Sequence, residues 1–443
     1  MPPTSLPYRA LARLGAALAP ALGVTDAKVR QGHDGRRGAA ARLVRWAETS
    51  RDPGRLLVWF HASSVGEGLQ AESVLAALHP LLPGAQYVYT HFSPSAAALA
   101  RRLPVDAADY LPYDLPGPAA LLLAALAPDL LVFSKLDLWP ELATRAAARG
   151  TAVAIVAGTV SPGSGRLRWP ARRLLRPGYA SVTAAGAISE GDAERLERLG
   201  VPWGRVQVLG DPRFDSAAAK VRAVQSDDPL LRWGGGAPTM VAGSTWPGDE
   251  AVLLDAFARV RDRSPDARLI LVPHEPTATH LSAIEGEASR AGLPAPIRLS
   301  AADAPAPLLL VDRVGVLAAL YGAGTMTYVG GGFGRAGLHS VLEPAAWGLP
   351  VTFGPRWRES RDAGLLLDAG AAAALPAGGR GAAAAALVEI WEGWIRDESL
   401  RAAQGRRAGE AVLNGQGAAR RSAEMLAGLT SSPHLRKSRH AAR

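Results

Sequence analysis

The feature that most restricts how this chain can fold is a series of short, largely apolar segments separated by longer stretches with helical spacing. LLVWF (56–60), QYVYTHF (86–92), DLLVFS (129–134), AVAIVAG (152–158) and RVQVLG (205–210) come first. TMVAG (239–243), ARLILVP (267–273), PLLLVD (307–312), MTYVGG (326–331) and LPVTFGP (349–355) follow. A strand that is apolar throughout must be covered on both faces, and strands alternating with helices pair parallel. The alternation stops between Ser216 and Pro238, where AAAKVRAVQSDDPLLRWGGGAP holds an Asp-Asp-Pro step and three consecutive glycines. The pattern predicts an α/β protein with two Rossmann-like domains, at 41–215 and 239–429, joined by a linker at 216–238 and facing each other across a cleft. Ligands in such sheets sit beyond the carboxyl ends of the strands.

Composition narrows the partners. The chain has 443 residues, 48% of them hydrophobic, and a formal charge of +9, which favours an anionic partner: nucleic acid, an acidic membrane surface or a phosphorylated substrate. The arginines are dispersed, and no zinc-finger spacing, RNP-like aromatic pattern or DNA-binding basic helix stands out, so no nucleic-acid partner is expected. Without a cysteine, disulfides and thiolate metal sites are excluded.

At the N-terminus, YRALARLGAALAPALG (8–23) is interrupted by Arg9 and Arg13. It is shorter than the roughly 20 clean apolar residues of a spanning helix, and its arginines lie inside the apolar run, where a secretory signal would have them before it. Two readings of the N-terminal segment (1–40) stay open: an amphipathic helix lying on a membrane, followed by basic Lys28, Arg30, Arg36, Arg37, Arg42 and Arg45, or an ordinary first helix packed on its domain. Residues 430–443, polar and basic, read as a disordered tail.

Three strand ends carry motifs. In ASSVGEG (62–68), Glu67 stands between two glycines where a strand turns into a helix, and an acid in a first helical turn stabilises that helix whatever else it does. In AGSTWPGDE (242–250), Ser244 or Thr245 can cap the next helix, Pro247 suits its first turn, and Asp249 and Glu250 complement its dipole. A hydroxyl and open backbone N–H groups there could also receive a phosphate. In GGGFGRAGLHSVLE (330–343), Gly332, Gly334 and Gly337 satisfy G-x-G-x-x-G, yet the expected acid about 20 residues later is replaced by FGPRW (353–357). What survives is a loop without side-chain bulk leading to a helix N-terminus, with His339 and Glu343 four apart on one face as nucleotide contacts, a metal pair or a solvent-facing ion pair.

The histidines form no H-x-x-x-H cluster and no convincing D-x-D is present, so no metal is expected. SSVGEG resembles a nucleophile elbow, but Val65 or Glu67 fills the serine position, which disfavours a hydrolase.

Taken together, SSVGEG, FSKLDLWPEL, GDPRFD, GSTWPGDE, VPHEP, DRVGVLAALYGAG and GGGFGRAGLHSVLEPAAWGLPVTFGP resemble the Kdo (3-deoxy-D-manno-octulosonic acid) transferases of bacterial lipopolysaccharide synthesis, in order and spacing over roughly residues 40–425. GSTWP, PHE and GGGFG look most like the branch found in Bacteroidetes-type bacteria. The resemblance implies a GT-B fold with an N-terminal acceptor domain and a C-terminal domain holding CMP-Kdo. It implies inverting transfer of Kdo to the lipid A precursor (lipid IVA), with neither metal nor cofactor, at the cytoplasmic face of the inner membrane, the enzyme being peripheral or N-terminally anchored. On that resemblance Glu67 is the general base, with Gly66 and Gly68 leaving room for the acceptor, and Asp137 and Arg213 stabilise the transition state. Donor contacts would come from His274 and Glu275, from Gly315, Val316 and Leu317 around the base, and from His339, Ser340, Val341, Leu342 and Glu343, with Glu343 on the ribose. Ser244, Thr245, Gly331 and Gly332 would lie near the phosphate.

The chain also departs from the family pattern. E-T-E-L-W-P is Lys135-Leu136-Asp137-Leu138-Trp139-Pro140, H-N-x-L-E has Ser340 in place of the amide, and P-R-H-P is Pro273-His274-Glu275-Pro276, which removes a fixed positive charge. Two other readings are another GT-B nucleotide-sugar enzyme (a UDP-sugar lipid transferase or epimerase) and a non-catalytic sugar- or lipid-binding descendant of the fold.

Overall fold

A computed structural model of the chain describes residues 4–334 and 337–430. The chain forms two compact units: one takes residues up to Ser216 and again from Gln416, and the other runs Ala217–Gly415. Each is built on a seven-stranded sheet.

The first unit's strands are β1 (Leu57–His61), β2 (Gln86–His91), β3 (Ala107–Tyr110), β4 (Leu130–Ser134), β5 (Ala152–Gly158), β6 (Ala184–Ala187) and β7 (Val206–Val208). They lie in the order β3-β2-β1-β4-β5-β6-β7, every pair parallel. The order reverses direction between β1 and β4, which opens a crevice at their carboxyl ends. Every residue of β1, β4 and β5 is buried, because the pleat sends Trp59, Leu131 and Phe133 into one core and Val58, Phe60 and Val132 into the other. Truncating Trp59 to alanine should cost about 3–5 kcal/mol.

The second unit repeats the plan with β8 (Thr239–Thr245), β9 (Arg268–Pro273), β10 (Ile297–Arg298), β11 (Leu308–Leu310), β12 (Met326–Val329), β13 (Val351–Phe353) and β14 (Ala372–Ala374). The order is β10-β11-β9-β8-β12-β13-β14, again parallel, with its reversal between β8 and β12.

The domain limits differ from those expected. The 216–238 stretch is not a loose linker: the helix Pro212–Ala223 carries the chain across the boundary, and Asp228 accepts the Leu230 N–H (2.8 Å) to start a short 3-10 turn, Pro229–Gly234. The second unit ends at Gly415, not at 429. The last helix, Ala418–Thr430, packs on Val65–Leu78 of the first unit and buries Ala423 and Leu426 in its core. Asp215 fixes that return by accepting the N–H groups of Gly417 (2.7 Å) and Ala419 (2.9 Å). Apart from Thr430, the expected tail lies outside the described residues.

The helix Leu6–Thr25 meets its domain with its polar side. Tyr8 Oη donates to Asp114 Oδ2 (2.6 Å) and Arg9 Nε to Glu141 Oε2 (2.9 Å), both carboxylates being buried. Leu11, Leu14, Leu18 and Leu22, spaced three, four and four residues apart, form one outward stripe about 80° wide and are all exposed. No helix among the described residues is long and apolar enough to cross a membrane.

Candidate active site

In the first unit, two segments converge on the crevice between β1 and β4. After β1 the chain enters the helix Val65–Leu78 with Ser64 as N-cap, and the Ser64 N–H donates to Glu67 Oε2 (3.1 Å), closing a capping box. After β4, Ser134 Oγ donates to the main-chain oxygen of Glu67 (3.0 Å), so the end of one strand holds the helical turn that follows the other. Glu67 is half-buried. Burial first, and then the negative charge of Asp137, push its carboxyl above the usual carboxylate range, while Lys135 and Ser64 pull it back.

Lys135, a charge reversal in the sequence pattern, thus stands against the Asp137 repulsion. Its backbone is left-handed (φ +63°) and its N–H donates to Val156 O (2.8 Å). Arg166 Nη2 donates to Asp137 Oδ1 (3.2 Å), and the same guanidinium reaches Leu136 O, which also accepts from Tyr179 Oη (3.1 Å). Two acids and two bases therefore share this end of the sheet. Sequence reasoning misses Arg166 because it lies 29 residues from Asp137, in an Arg-rich loop without a motif.

Beneath them His61 is fully buried, and its Nε2 accepts from Trp139 Nε1 (2.9 Å) and from the Ser63 hydroxyl (3.0 Å). Because an indole nitrogen only donates, the imidazole proton sits on Nδ1, facing Thr90 Oγ1 (3.0 Å). Burial lowers His61 to about 3, so the ring is neutral and joins the end of β1 to the Leu-Trp-Pro turn that carries Asp137.

The two glycines beside Glu67 differ. A side chain at Gly66 would meet nothing within 4 Å, as clearance for a ligand requires. At Gly68 a Cβ would lie 2.5 Å from Leu99 Cδ2 and 2.9 Å from Tyr89 Oη, so this glycine serves close packing of helix on sheet and not the acceptor. Arg213, in the first turn of Pro212–Ala223, places Nε and Nη2 on Asp211 Oδ2 (2.9 and 2.6 Å). Asp211 Oδ1 in turn accepts from Gln70 Nε2 (3.3 Å), one turn along the helix from Glu67.

In the second unit the corresponding crevice lies between β8 and β12. The helix Pro247–Arg263 starts at Trp246, and neither expected hydroxyl caps it. Asp249 Oδ2 accepts the N–H groups of Trp246 (3.0 Å) and Gly331 (2.9 Å), and Oδ1 accepts from Tyr328 Oη (2.8 Å). One buried carboxylate thereby fastens the strand-to-helix turn to the glycine loop. Thr245 is buried with its hydroxyl donating to Glu250 Oε1 (3.0 Å), which turns it away from any ligand, while Ser244 stays half-buried in a left-handed conformation (φ +55°). Glu250 Oε2 pairs with His280 Nε2 (2.9 Å), and His280 Nδ1 reaches Glu275 O (2.9 Å), which secures the turn carrying His274.

His274 and Glu275 are exposed. The rings of His274 and His339 stack with centroids 4.3 Å apart, His274 lies 5.0 Å from Trp246, and Trp246 Nε1 donates to His339 Nε2 (3.0 Å). Burial, and then the neighbouring His274, lower His339 to about 4. The glycine loop is built for backbone approach: a Cβ on Gly331 (φ +95°) would fall 2.1 Å from Gly337 O, and one on Gly332 2.6 Å from Gly354 Cα.

The helix beyond this loop is only Leu342–Ala346. His339 and Ser340 precede it, so the four-residue spacing does not put His339 and Glu343 on one face. His339 turns to the aromatic group, and Glu343 pairs with Lys220. Ser340 is exposed and accepts the Leu342 N–H (3.4 Å), whereas Val341 and Leu342 are buried and pack as core. Gly315 (φ +87°) is exposed, and Val316 and Leu317 are half-buried at the start of the helix Leu317–Tyr321. Among the described residues no three His, Cys, Asp or Glu side chains converge as metal ligands do.

Two parallel seven-stranded units, each with polar groups at its switch point, define a GT-B glycosyltransferase-type fold. Solved structures agree at the level of fold. A UDP-GlcNAc 2-epimerase from Neisseria meningitidis, 12% identical, matches over 81% of this chain and 98% of its own with a TM-score of 0.56. A glycosyltransferase from Rickettsia africae, 10% identical, matches over 85% of this chain and 99% of its own with a TM-score of 0.55. The family follows from sequence: a family profile described as 3-deoxy-D-manno-octulosonic-acid transferase (kdotransferase) matches residues 36–216. The 3-deoxy-D-manno-octulosonic acid transferase of Bordetella pertussis is 30% identical over 356 residues, covering 76% of this chain and 80% of its own. The chain belongs to the 3-deoxy-D-manno-octulosonic acid transferase family; it is a glycosyltransferase of lipopolysaccharide biosynthesis.

Proposed function

We propose that the protein transfers Kdo from CMP-Kdo to a hydroxyl of lipid IVA with inversion and without a metal or cofactor, the first unit taking the acceptor and the second the donor. Glu67 removes the acceptor proton as the hydroxyl oxygen bonds to the anomeric carbon from the face opposite CMP. The carbon–oxygen bond to CMP breaks and its electron pair leaves with the phosphate. The observation that carries this reading is the setting of Glu67: half-buried, raised by burial and Asp137, and open to solvent on the Gly66 side. A carboxyl raised toward the working pH is a better proton acceptor than one left at its ordinary value.

Asp137, held by Arg166, steadies charge at the sugar, and Arg213, oriented by Asp211, meets the departing phosphate or the Kdo carboxylate. On the donor side the His274–His339–Trp246 group, Gly331, Gly332, Ser244 and Gly315 line the CMP position, and Glu343 reaches the ribose by exchanging its Lys220 partner. The outward leucine stripe of Leu6–Thr25 supports a peripheral position on the cytoplasmic face of the inner membrane, where the acceptor lies.

The test is transfer from freshly made CMP-Kdo to a tetraacylated lipid A precursor, with a chelator present and with a UDP-sugar donor as comparison. Product formation from CMP-Kdo alone, insensitive to chelator and of inverted configuration by NMR, is expected. Absence of product, or transfer from the UDP sugar, sinks the reading.

A further inference from the structure

The segment Ser161–Ala180, between β5 and β6, is only partly used by the site. It holds five arginines and no acid. Arg166 turns inward to Asp137, but three residues on Trp169 is 80% exposed, and Arg168, Arg172 and Arg173 are exposed around it. None of these three arginines makes an ion pair among the described residues. The helix Ala171–Ala180 contacts Leu6–Thr25, the helix that carries the outward leucine stripe.

The informative feature is the combination: an exposed indole, three arginines without ion pairs and a neighbouring helix with an apolar outer stripe lie together on one stretch of surface. It suits a bilayer interface, where Trp sits at headgroup level and Arg takes phosphate oxygens in a fork. We propose that Trp169, with Arg168, Arg172 and Arg173, is a second membrane contact that binds the anionic phospholipid headgroups of a bilayer. It rests on the membrane position read from the first helix, and it adds charge selectivity that four leucines cannot supply. The Arg166 loop then serves two ends, since the stretch that orients Asp137 also touches the surface from which an anionic amphiphile arrives.

The experiment is flotation of the full chain with phosphatidylcholine vesicles, with and without phosphatidylglycerol, at low and high salt. Arg168→Gln/Arg172→Gln/Arg173→Gln should lose about a hundredfold in affinity for the anionic vesicles and little for the neutral ones, from the attraction each basic group feels near such a surface. Trp169→Ala should weaken binding to both, with Trp169→Phe partly restoring it, and turnover of a detergent-solubilised acceptor should not change. Thermal unfolding checks that each variant is folded. If these variants bind like wild type while Leu14→Gln/Leu18→Gln does not, the second contact is refuted and the first-helix reading stands. If wild type binds neither vesicle, both fall. Equal losses on neutral and anionic vesicles in the arginine variant, or tighter binding to heparin than to any vesicle, also overturn the proposal.

Discussion

Glu67 is a helix cap and, in the proposed mechanism, a base, and a pair of substitutions separates the two roles. As a cap it accepts the Ser64 N–H at 3.1 Å, an interaction worth about 0.5–1.5 kcal/mol. As a base it would contribute a factor of about 10²–10⁴ in rate, which at 1.36 kcal/mol per decade is about 3–5.5 kcal/mol. Gln keeps the shape and the accepting oxygen but cannot take a proton; Ala keeps neither. The electrostatics point the same way. A carboxyl whose folded pKa is raised holds its proton to higher pH than in the unfolded chain, so its contribution to stability is greatest below the unfolded value and is lost as pH rises through the folded one. At neutral pH the Glu67 charge therefore strains the fold slightly, and Gln relieves it. Glu67→Gln should leave the melting temperature level or slightly higher, whereas Glu67→Ala should lower it by about 2–4 °C. Both should reduce single-turnover transfer to a detergent-solubilised tetraacyl acceptor by two to four orders of magnitude. If Glu67→Gln transfers within tenfold of wild type, Glu67 is a cap and nothing more. If its activity falls only in step with a fall in melting temperature, the loss is structural and the assignment fails as well.

Asp137→Asn removes the like charge that raises Glu67, so the acidic limb of the kcat/KM profile should move to lower pH, and Lys135→Met should move it to higher pH; two unmoved limbs would show that the three groups do not share a field. His61 is depressed to about 3 in the folded chain, so the unfolded chain takes its proton first. Melting temperature should accordingly fall as pH drops from about 6.5 toward 3, and His61→Gln should flatten that slope, measured by scanning calorimetry. Asp249→Ala leaves the N–H groups of Trp246 and Gly331 and the Tyr328 hydroxyl without their acceptor, at about 1–3 kcal/mol for each that stays buried. The KM for CMP-Kdo should rise and the melting temperature drop, and unchanged values for both would refute its role as fastener of the glycine loop.

Which of these groups a reader of the sequence could find depends on whether local chemistry or distant contact decides the matter. β1, β4, β5, β8 and β9 announce themselves because a strand buried on both faces needs unbroken apolar residues. β6 does not, since AAGA has no strand-forming side chain; it is a strand through its pairing between β5 and β7, and Gly186 leaves room for Leu209, whose Cδ1 would lie 2.7 Å from a Cβ there. The motif at Glu67 is legible as a cap and, through its resemblance, as a base, but its glycines look alike and only packing against Leu99 distinguishes them. In the second unit the four-residue spacing of His339 and Glu343 carries a helical inference that the backbone does not honour, because His339 N–H donates to Gly330 O (3.1 Å) and the helix starts later. Arg166 and the Asp215 cap of the last helix have no local signal at all: one is defined by a partner 29 residues away and the other by partners more than 200 away. Periodicity thus locates the two crevices, because the strands that frame them are fixed by burial along the chain. The charges that would tune Glu67 belong to loops whose course is set by tertiary contact, and a single sequence carries no pattern for those.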